Sequence, residues 1–174
     1  VMQLKNFQRG RIKEYVKEVP GAQYFEGERP WSVPCDIAMP CATQNEINAE
    51  SAQKLVDNGC FAVGEGANMP STPEAIAIFQ SNGLLFAPAK AANAGGVATS
   101  ALEMCQNSQR MPWTFEEVDA KLDGIMVSIY NNSVEAATRY NMKTKAGKLN
   151  LAAGANIAGF EKVCDAMLWQ GVSY

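Results

Sequence analysis

The chain has 174 residues, 47% of them hydrophobic and 19% charged, which excludes disorder and low-complexity sequence and fits one ordinary globular domain. Fifteen basic against eighteen acidic residues leave a net charge of −3, and no Lys/Arg run offers a nucleic-acid footprint. Histidine is absent, so Ser-His and Cys-His catalysis, imidazole metal ligation and histidine pH switching are all excluded.

The first residues read as helix interior. Met2, Leu4, Phe7, Ile12 and Tyr15 fall near helical spacing with no capping residue before them, so the chain is expected to begin inside a larger domain. The stretch VMQLKNFQRGRIKEY is amphipathic and lacks the apolar core of a signal peptide. No apolar run is long enough for a membrane-spanning helix.

From residue 33 one unit occurs three times: a short apolar run, a loop of small and polar residues, then a helix. The first run is 33–39, followed by a helix near 48–58 that Gly59 closes. The second is 60–63, followed by a helix over 73–82 with Thr72 as cap, Pro73 as first helical residue and Gly83 as stop. The third is 84–87, followed by a loop over 88–96 and a helix over 97–107. Runs about 25 residues apart fit βα units of a parallel sheet, and unbroken apolar runs fit strands covered on both faces.

After residue 112 the pattern is helical throughout. Thr114 and Glu117 make a capping box, with Phe115, Val118, Leu122, Ile125 and Ile129 as one stripe. A polar connector spans 141–150. A last helix over 153–170 is expected to bury Ile157, Phe160, Cys164, Met167 and Leu168. The fold class is therefore α/β: the second half of a Rossmann-like doubly wound parallel sheet followed by C-terminal helices. Its division is a partial dinucleotide-binding domain over 1–112 and a helical segment over 113–174 that packs back on it.

Cys35, Cys41, Cys60, Cys105 and Cys164 are odd in number and widely spread, neither a disulfide framework nor a zinc site. They read as reduced, mostly buried thiols of a cytoplasmic protein. No metal site is expected.

In open α/β sheets, ligands bind at the carboxyl ends of the strands. All three ends here combine small residues with a carboxamide: Asn45 after Ala42, Thr43 and Gln44; Asn68 after Gly66 and Ala67; Asn93 before Ala94, Gly95 and Gly96. Small side chains let a ligand approach the backbone, and Asn offers donor and acceptor without charge. That suits an amide, ribose or nicotinamide; turn and cap chemistry is the alternative. Gly95 and Gly96 opening a helix would expose N–H groups to an anion, with Lys90 nearby. Ser100 in that helix's first turn is either a cap or a group facing the same cleft. Asp36, Glu65 and Glu103 are available acids or bases, without a partner carboxylate at a telling spacing.

Residues 34–46 (PCDIAMPCATQNE), 65–70 (EGANMP), 88–104 (PAKAANAGGVATSALEM) and 154–162 (GANIAGFEK) closely resemble the hexameric glutamate dehydrogenases of bacteria. The short NAGG core also occurs in leucine, phenylalanine and valine dehydrogenases; the following VATS and EMCQN favour the glutamate branch. The resemblance implies the later part of a larger enzyme, with the glycine-rich turn, the residues choosing NAD or NADP, and the catalytic lysine and aspartate all outside this segment. It implies that Ala42, Thr43, Asn68 and Asn93, with Gln44 beside them, line the nicotinamide-ribose end of a cofactor site for NADP, or NAD. Val97 and Ser100 are implied to contact glutamate or 2-oxoglutarate. The implied reaction is reversible oxidative deamination of L-glutamate to 2-oxoglutarate and ammonia in a homohexamer, the 174 residues alone being inactive. The competing readings are a non-catalytic α/β nucleotide-binding or scaffold module, and another amino-acid dehydrogenase of the same superfamily.

Overall fold

A computed structural model describes residues 1–171. The backbone divides into two compact units, Val1–Pro30 and Trp31–Tyr174.

In the first unit the expected single helix is broken. A five-residue π-turn, Gln3–Phe7, ends before Arg9, whose φ is 52°. A 3-10 turn, Ile12–Glu14, and a short helix α1, Tyr15–Glu18, follow. The break has a packing cause: Gly10 donates its N–H to the Leu4 carbonyl at 2.9 Å, and a Cβ at Gly10 would collide with the Leu4 side chain. Of the five residues expected on one helical face, Leu4 alone is buried.

The second unit is α/β. Strands β1 (Ile37–Ala38), β2 (Ala62–Gly64) and β3 (Leu85–Ala87) form a parallel sheet in the order β1-β2-β3. The paired strands are shorter than the apolar runs that signalled them, and only one sheet face is fully covered. Ala38, Val63 and Phe86 stand in register on the buried face. In the neighbouring register Ile37 and Leu85 are more than half exposed, so the expectation of strands covered on both faces fails for the described residues.

Helices α2 (Ala49–Asp57) and α3 (Pro73–Ser81) connect the strands. Asn48 caps α2 by accepting the Ser51 N–H, and Thr72 caps α3 by accepting that of Ala75, with Pro73 at the first helical position. Gly59 and Gly83 follow their ends at φ of 82° and 73°. Ala52, Leu55, Ala75 and Phe79 pack with Val63 and Phe86 into the core, the Phe79 and Phe86 rings 6.0 Å apart. Complete burial of Leu55 and Phe79 contributes about 1.5–3 kcal/mol each.

Most of the segment over 88–96 is helical rather than a loop. Helix α4 (Ala89–Ala92) and helix α5 (Ala94–Gln109) are separated only by Asn93, a turn residue at φ −95° and ψ 5°. The segment's alanine-rich sequence favours helix strongly enough to draw Gly95 and Gly96 in.

Helix α6 (Phe115–Arg139) starts at the expected capping box: Thr114 Oγ1 accepts the Glu117 N–H while Glu117 accepts that of Thr114. Most of its predicted stripe is half-buried, but Phe115 is exposed. The connector holds a Lys143–Leu149 antiparallel bridge. Helix α7 (Leu151–Gln170) meets α6 at Gly154, where a Cβ would run into the Ser133 carbonyl and Ala137. Glu161 accepts from Arg139 and Tyr140, each at 2.9 Å. Of the expected α7 face, Ile157 and Cys164 are half-buried, whereas Phe160, Met167 and Leu168 are exposed. The thiols also depart from expectation: Cys60 is buried, Cys35 and Cys164 are half-buried, and Cys41 and Cys105 are exposed. Among the described residues no helix is long and apolar enough to cross a membrane, and no group of metal-ligating side chains gathers.

Candidate functional site

The loops leaving the carboxyl ends of β1, β2 and β3 converge, and backbone pairing holds them together. Asn45 donates its N–H to the Met69 carbonyl at 2.9 Å, and Ile47 donates to that of Pro70 at the same distance. Ile47 and Ser71 form a parallel bridge beyond the strands. The Pro40 carbonyl accepts from both Gly66 and Ala67 at 3.0 Å. Asn45 and Met69, which face each other across this seam, both adopt left-handed backbone at φ of 54° and 49°.

Two buried carboxylates brace the loops. Glu46 accepts the N–H groups of Ala42 at 2.9 Å and Thr43 at 3.4 Å, and Trp31 Nε1 donates to its carbonyl. Glu65 accepts from Ser71 at 3.2 Å and from Ala89 at 2.8 Å, joining the loops after β2 and β3. Glu65 thereby loses its place as a free acid or base. Both its carboxylate oxygens are occupied by backbone donors, in an environment 3% exposed. The sequence places Glu46 directly after the Asn45 carboxamide, the one local sign of its role.

A cleft of about 680 Å³ opens over these loops. It is lined by Ala42, Thr43 and Gln44 from the β1 loop, Asn68 from the β2 loop, and Asn93 and Val97 at the start of α5, together with Cys41 and the small residues Gly66, Ala67 and Gly96. Six of the seven binding residues expected from sequence therefore share one cavity. Among the described residues, no Asp, Glu, Lys or Arg lines it. Gly66 keeps the floor low: a Cβ there would strike the Cys41 sulfur.

The Asn68–Asn93 pair sets the cleft's polarity. Asn93 Nδ2 donates to the Ala67 carbonyl at 3.2 Å and to Asn68 Oδ1 at 2.7 Å. A backbone carbonyl only accepts, so the Ala67 bond fixes which way the Asn93 amide faces. Asn93 Oδ1 and Asn68 Nδ2 then remain without partners among the described residues, one acceptor beside one donor.

The other candidates lie elsewhere. Ser100 does not line this cleft; it sits in the second turn of α5 and donates its hydroxyl to the Gly96 carbonyl at 3.2 Å, so it caps nothing. Asp36 precedes β1, at the opposite end of the sheet, where its carbonyl accepts from Phe61. Glu103 is exposed on α5. Lys90 Nζ donates to Asn156 Oδ1 on α7. Gly95 and Gly96 do lie in the first turn of α5, where Gly96 donates its N–H to the Asn93 carbonyl at 3.4 Å, with α4 ending one residue before that turn.

The profile of the Glutamate/Leucine/Phenylalanine/Valine dehydrogenase family matches residues 1–171. The chain belongs to this family. Among curated members, it is 54% identical over 172 residues to the NAD(P)-specific glutamate dehydrogenase of Xylanibacter ruminicola. It is 53% identical over 172 residues to the NADP-specific enzyme of Escherichia coli K12. Each alignment covers 99% of this chain and 37% of the relative, so the chain spans little more than a third of the family members it matches. Among solved structures, Plasmodium falciparum glutamate dehydrogenase superposes with a TM-score of 0.91 at 51% identity, covering 98% of this chain and 36% of that one. The family's α/β architecture is the one described above.

Proposed function

We propose that this chain supplies the nicotinamide-ribose wall of a dinucleotide site and part of the substrate pocket in an NADP-linked glutamate dehydrogenase. The reaction is reversible oxidative deamination of L-glutamate to 2-oxoglutarate and ammonia, with NAD as the second cofactor choice. The observation that carries this reading is the Asn68–Asn93 pair, set in an uncharged cleft at the strand ends.

The lining fits a nicotinamide nucleotide. One free acceptor beside one free donor matches a carboxamide, and the small residues at Ala42, Gly66, Ala67 and Gly96 leave room for a planar ring. Ala42, Thr43, Gln44, Asn68 and Asn93 would hold the cofactor, and Val97 and Ser100 would contact the substrate side chain. The chemistry such a cofactor supplies is hydride transfer. This chain's own part is positioning: Glu46 and Glu65 fix the loops, and Asn93 fixes the amide that orients the ring.

The same reading assigns residues 1–112 to the later half of a Rossmann-like domain and 113–174 to helices packing back on it. It places the complete protein in the cytoplasm as a homohexamer, with the catalytic acid/base residues outside this segment.

The test is a chimera in which this chain replaces the matching segment of a full-length family member. Glutamate-dependent reduction of NADP, followed by absorbance, is expected at a rate near that of the parent. A folded chimera without turnover overturns the reading in favour of a non-catalytic module. Better turnover on leucine or valine than on glutamate reassigns it within the family. The 174-residue chain alone is expected to show no turnover and no cofactor binding tighter than millimolar by calorimetry.

A further inference from the structure

At the end of the sheet opposite the cleft, two of the five cysteines face each other. Cys35 lies two residues before Ile37 on β1, and Cys60 lies two residues before Ala62 on β2; Ile37 and Ala62 are partners in the parallel register. The pairing extends back toward both cysteines, because Phe61 donates its N–H to the Asp36 carbonyl at 3.0 Å. Neighbouring strands run about 4.8 Å apart, inside the span of roughly 4.4–6.8 Å between Cα atoms that a disulfide bridges. Both side chains lie under the sheet: Cys60 is part of the buried cluster and Cys35 packs against that cluster, while the Cys60 thiol donates to the Ala62 carbonyl at 3.2 Å. Cys35 is half-buried and reachable, while Cys60 is 4% exposed. The other three thiols stand apart: Cys41 follows β1 at the cleft, Cys105 lies on α5 and Cys164 on α7.

We propose that Cys35 and Cys60 are an oxidisable pair, thiols in this structure and joined as an intrachain disulfide by a small-molecule disulfide oxidant. The site is independent of the proposed catalytic function. The Cys35 thiolate attacks one sulfur of the oxidant, breaking its S–S bond and expelling the first small thiolate, which leaves a mixed disulfide on Cys35. The Cys60 thiolate then attacks the Cys35 sulfur and expels the second. Two electrons pass from the cysteines to the oxidant, and the two thiol protons leave with the released thiols. Burial and the adjacent Cys60 hold the Cys35 thiol above its ordinary pKa, so the first attack is slow and the second, between register neighbours of one chain, is fast.

The 174-residue chain is incubated with oxidised glutathione, alkylated, and mapped by mass spectrometry with fragmentation. The expected result is a Cys35–Cys60 cross-link that keeps no glutathione, with any glutathione adducts on Cys41 and Cys105. Closing this loop is expected to raise Tm by about 5–10 °C over the reduced chain. Cys35→Ala is expected to remove both the cross-link and the redox dependence of Tm. A variant with Cys41, Cys105 and Cys164 all changed to Ala is expected to keep both. Full alkylation of Cys35 and Cys60 after oxidation overturns the proposal, as does a stable glutathione adduct on Cys35 or a cross-link to any other cysteine.

Discussion

Glu65, at the end of β2, accepts the backbone N–H of Ala89 at 2.8 Å, 24 residues further along the chain. Its other carboxylate oxygen accepts from Ser71. One buried side chain thus ties the loop carrying Asn68 to the short helix that leads into Asn93, and holds the two carboxamides at bonding distance.

Glu65→Gln keeps the shape but turns an amide N–H₂ toward one of the two backbone donors. Losing a charge-assisted bond and leaving a buried N–H unpaired is expected to cost about 1.5–3 kcal/mol. Urea denaturation of the 174-residue chain measures it. A midpoint equal to that of the unmodified chain would show that the clamp carries no weight.

Asn68 and Asn93 act as a unit. In a double-mutant cycle to Ala, the two losses are expected to be non-additive by about 0.5–1.5 kcal/mol. The Asn93→Ala effect should be the larger, since that amide also bonds the Ala67 carbonyl. Additive losses would mean that the pair does not couple in solution.

Gly154→Ala puts a methyl group into the Ser133 carbonyl at the α6–α7 crossing. The gain in helix propensity, about 0.5–1 kcal/mol, is outweighed by an overpacking cost of about 1–3 kcal/mol. A fall in Tm is expected. Gly159→Ala on the same helix has open space around its Cβ and is expected to raise Tm. Reversed signs would contradict this crossing.

Ser100→Val separates a substrate contact from a structural hydroxyl. Ser100 lies inside α5 and bonds only its own helix, so stability is expected to change by less than about 0.5 kcal/mol. In the full-length chimera, loss of a hydroxyl facing a side-chain carboxylate is expected to lower kcat/KM for glutamate roughly 10- to 200-fold, with relative activity on norvaline rising. An unchanged glutamate-to-norvaline ratio would remove Ser100 from the substrate pocket.

The fold was legible where local chemistry decides it. Thr72 with Pro73, and Thr114 with Glu117, start their helices as capping rules require, and the three apolar runs contain the three strands. The strand-end residues were legible too, because a parallel sheet brings successive carboxyl ends together, and Ala42, Asn68 and Asn93 meet there. What escaped depends on partners remote in sequence. Nothing near Glu65 announces that Ala89 will donate to it, so a structural brace resembled a free acid. Asn93 reads as one residue of a longer loop because its neighbours are small, yet those same alanines form helix on both sides of it and leave it as the single turn residue between α4 and α5. Arg9 and Gly10 break the N-terminal periodicity through a contact with Leu4 that spacing alone does not reveal.

The strand order β1-β2-β3 leaves β2 as the only described strand hydrogen-bonded along both edges. Every β2 amide can face a paired strand on one side or the other, whereas on β1 and β3 alternate amides face an edge with no strand partner among the described residues. In the 174-residue chain, protection against deuterium should therefore fall outward from Val63. Asn68 springs from the central strand, while Ala42 and Asn93 stand on the two flanks. The Asn68–Asn93 bond therefore reaches from the central strand's loop to one flank of the described sheet, alongside the Glu65 brace that spans the same gap.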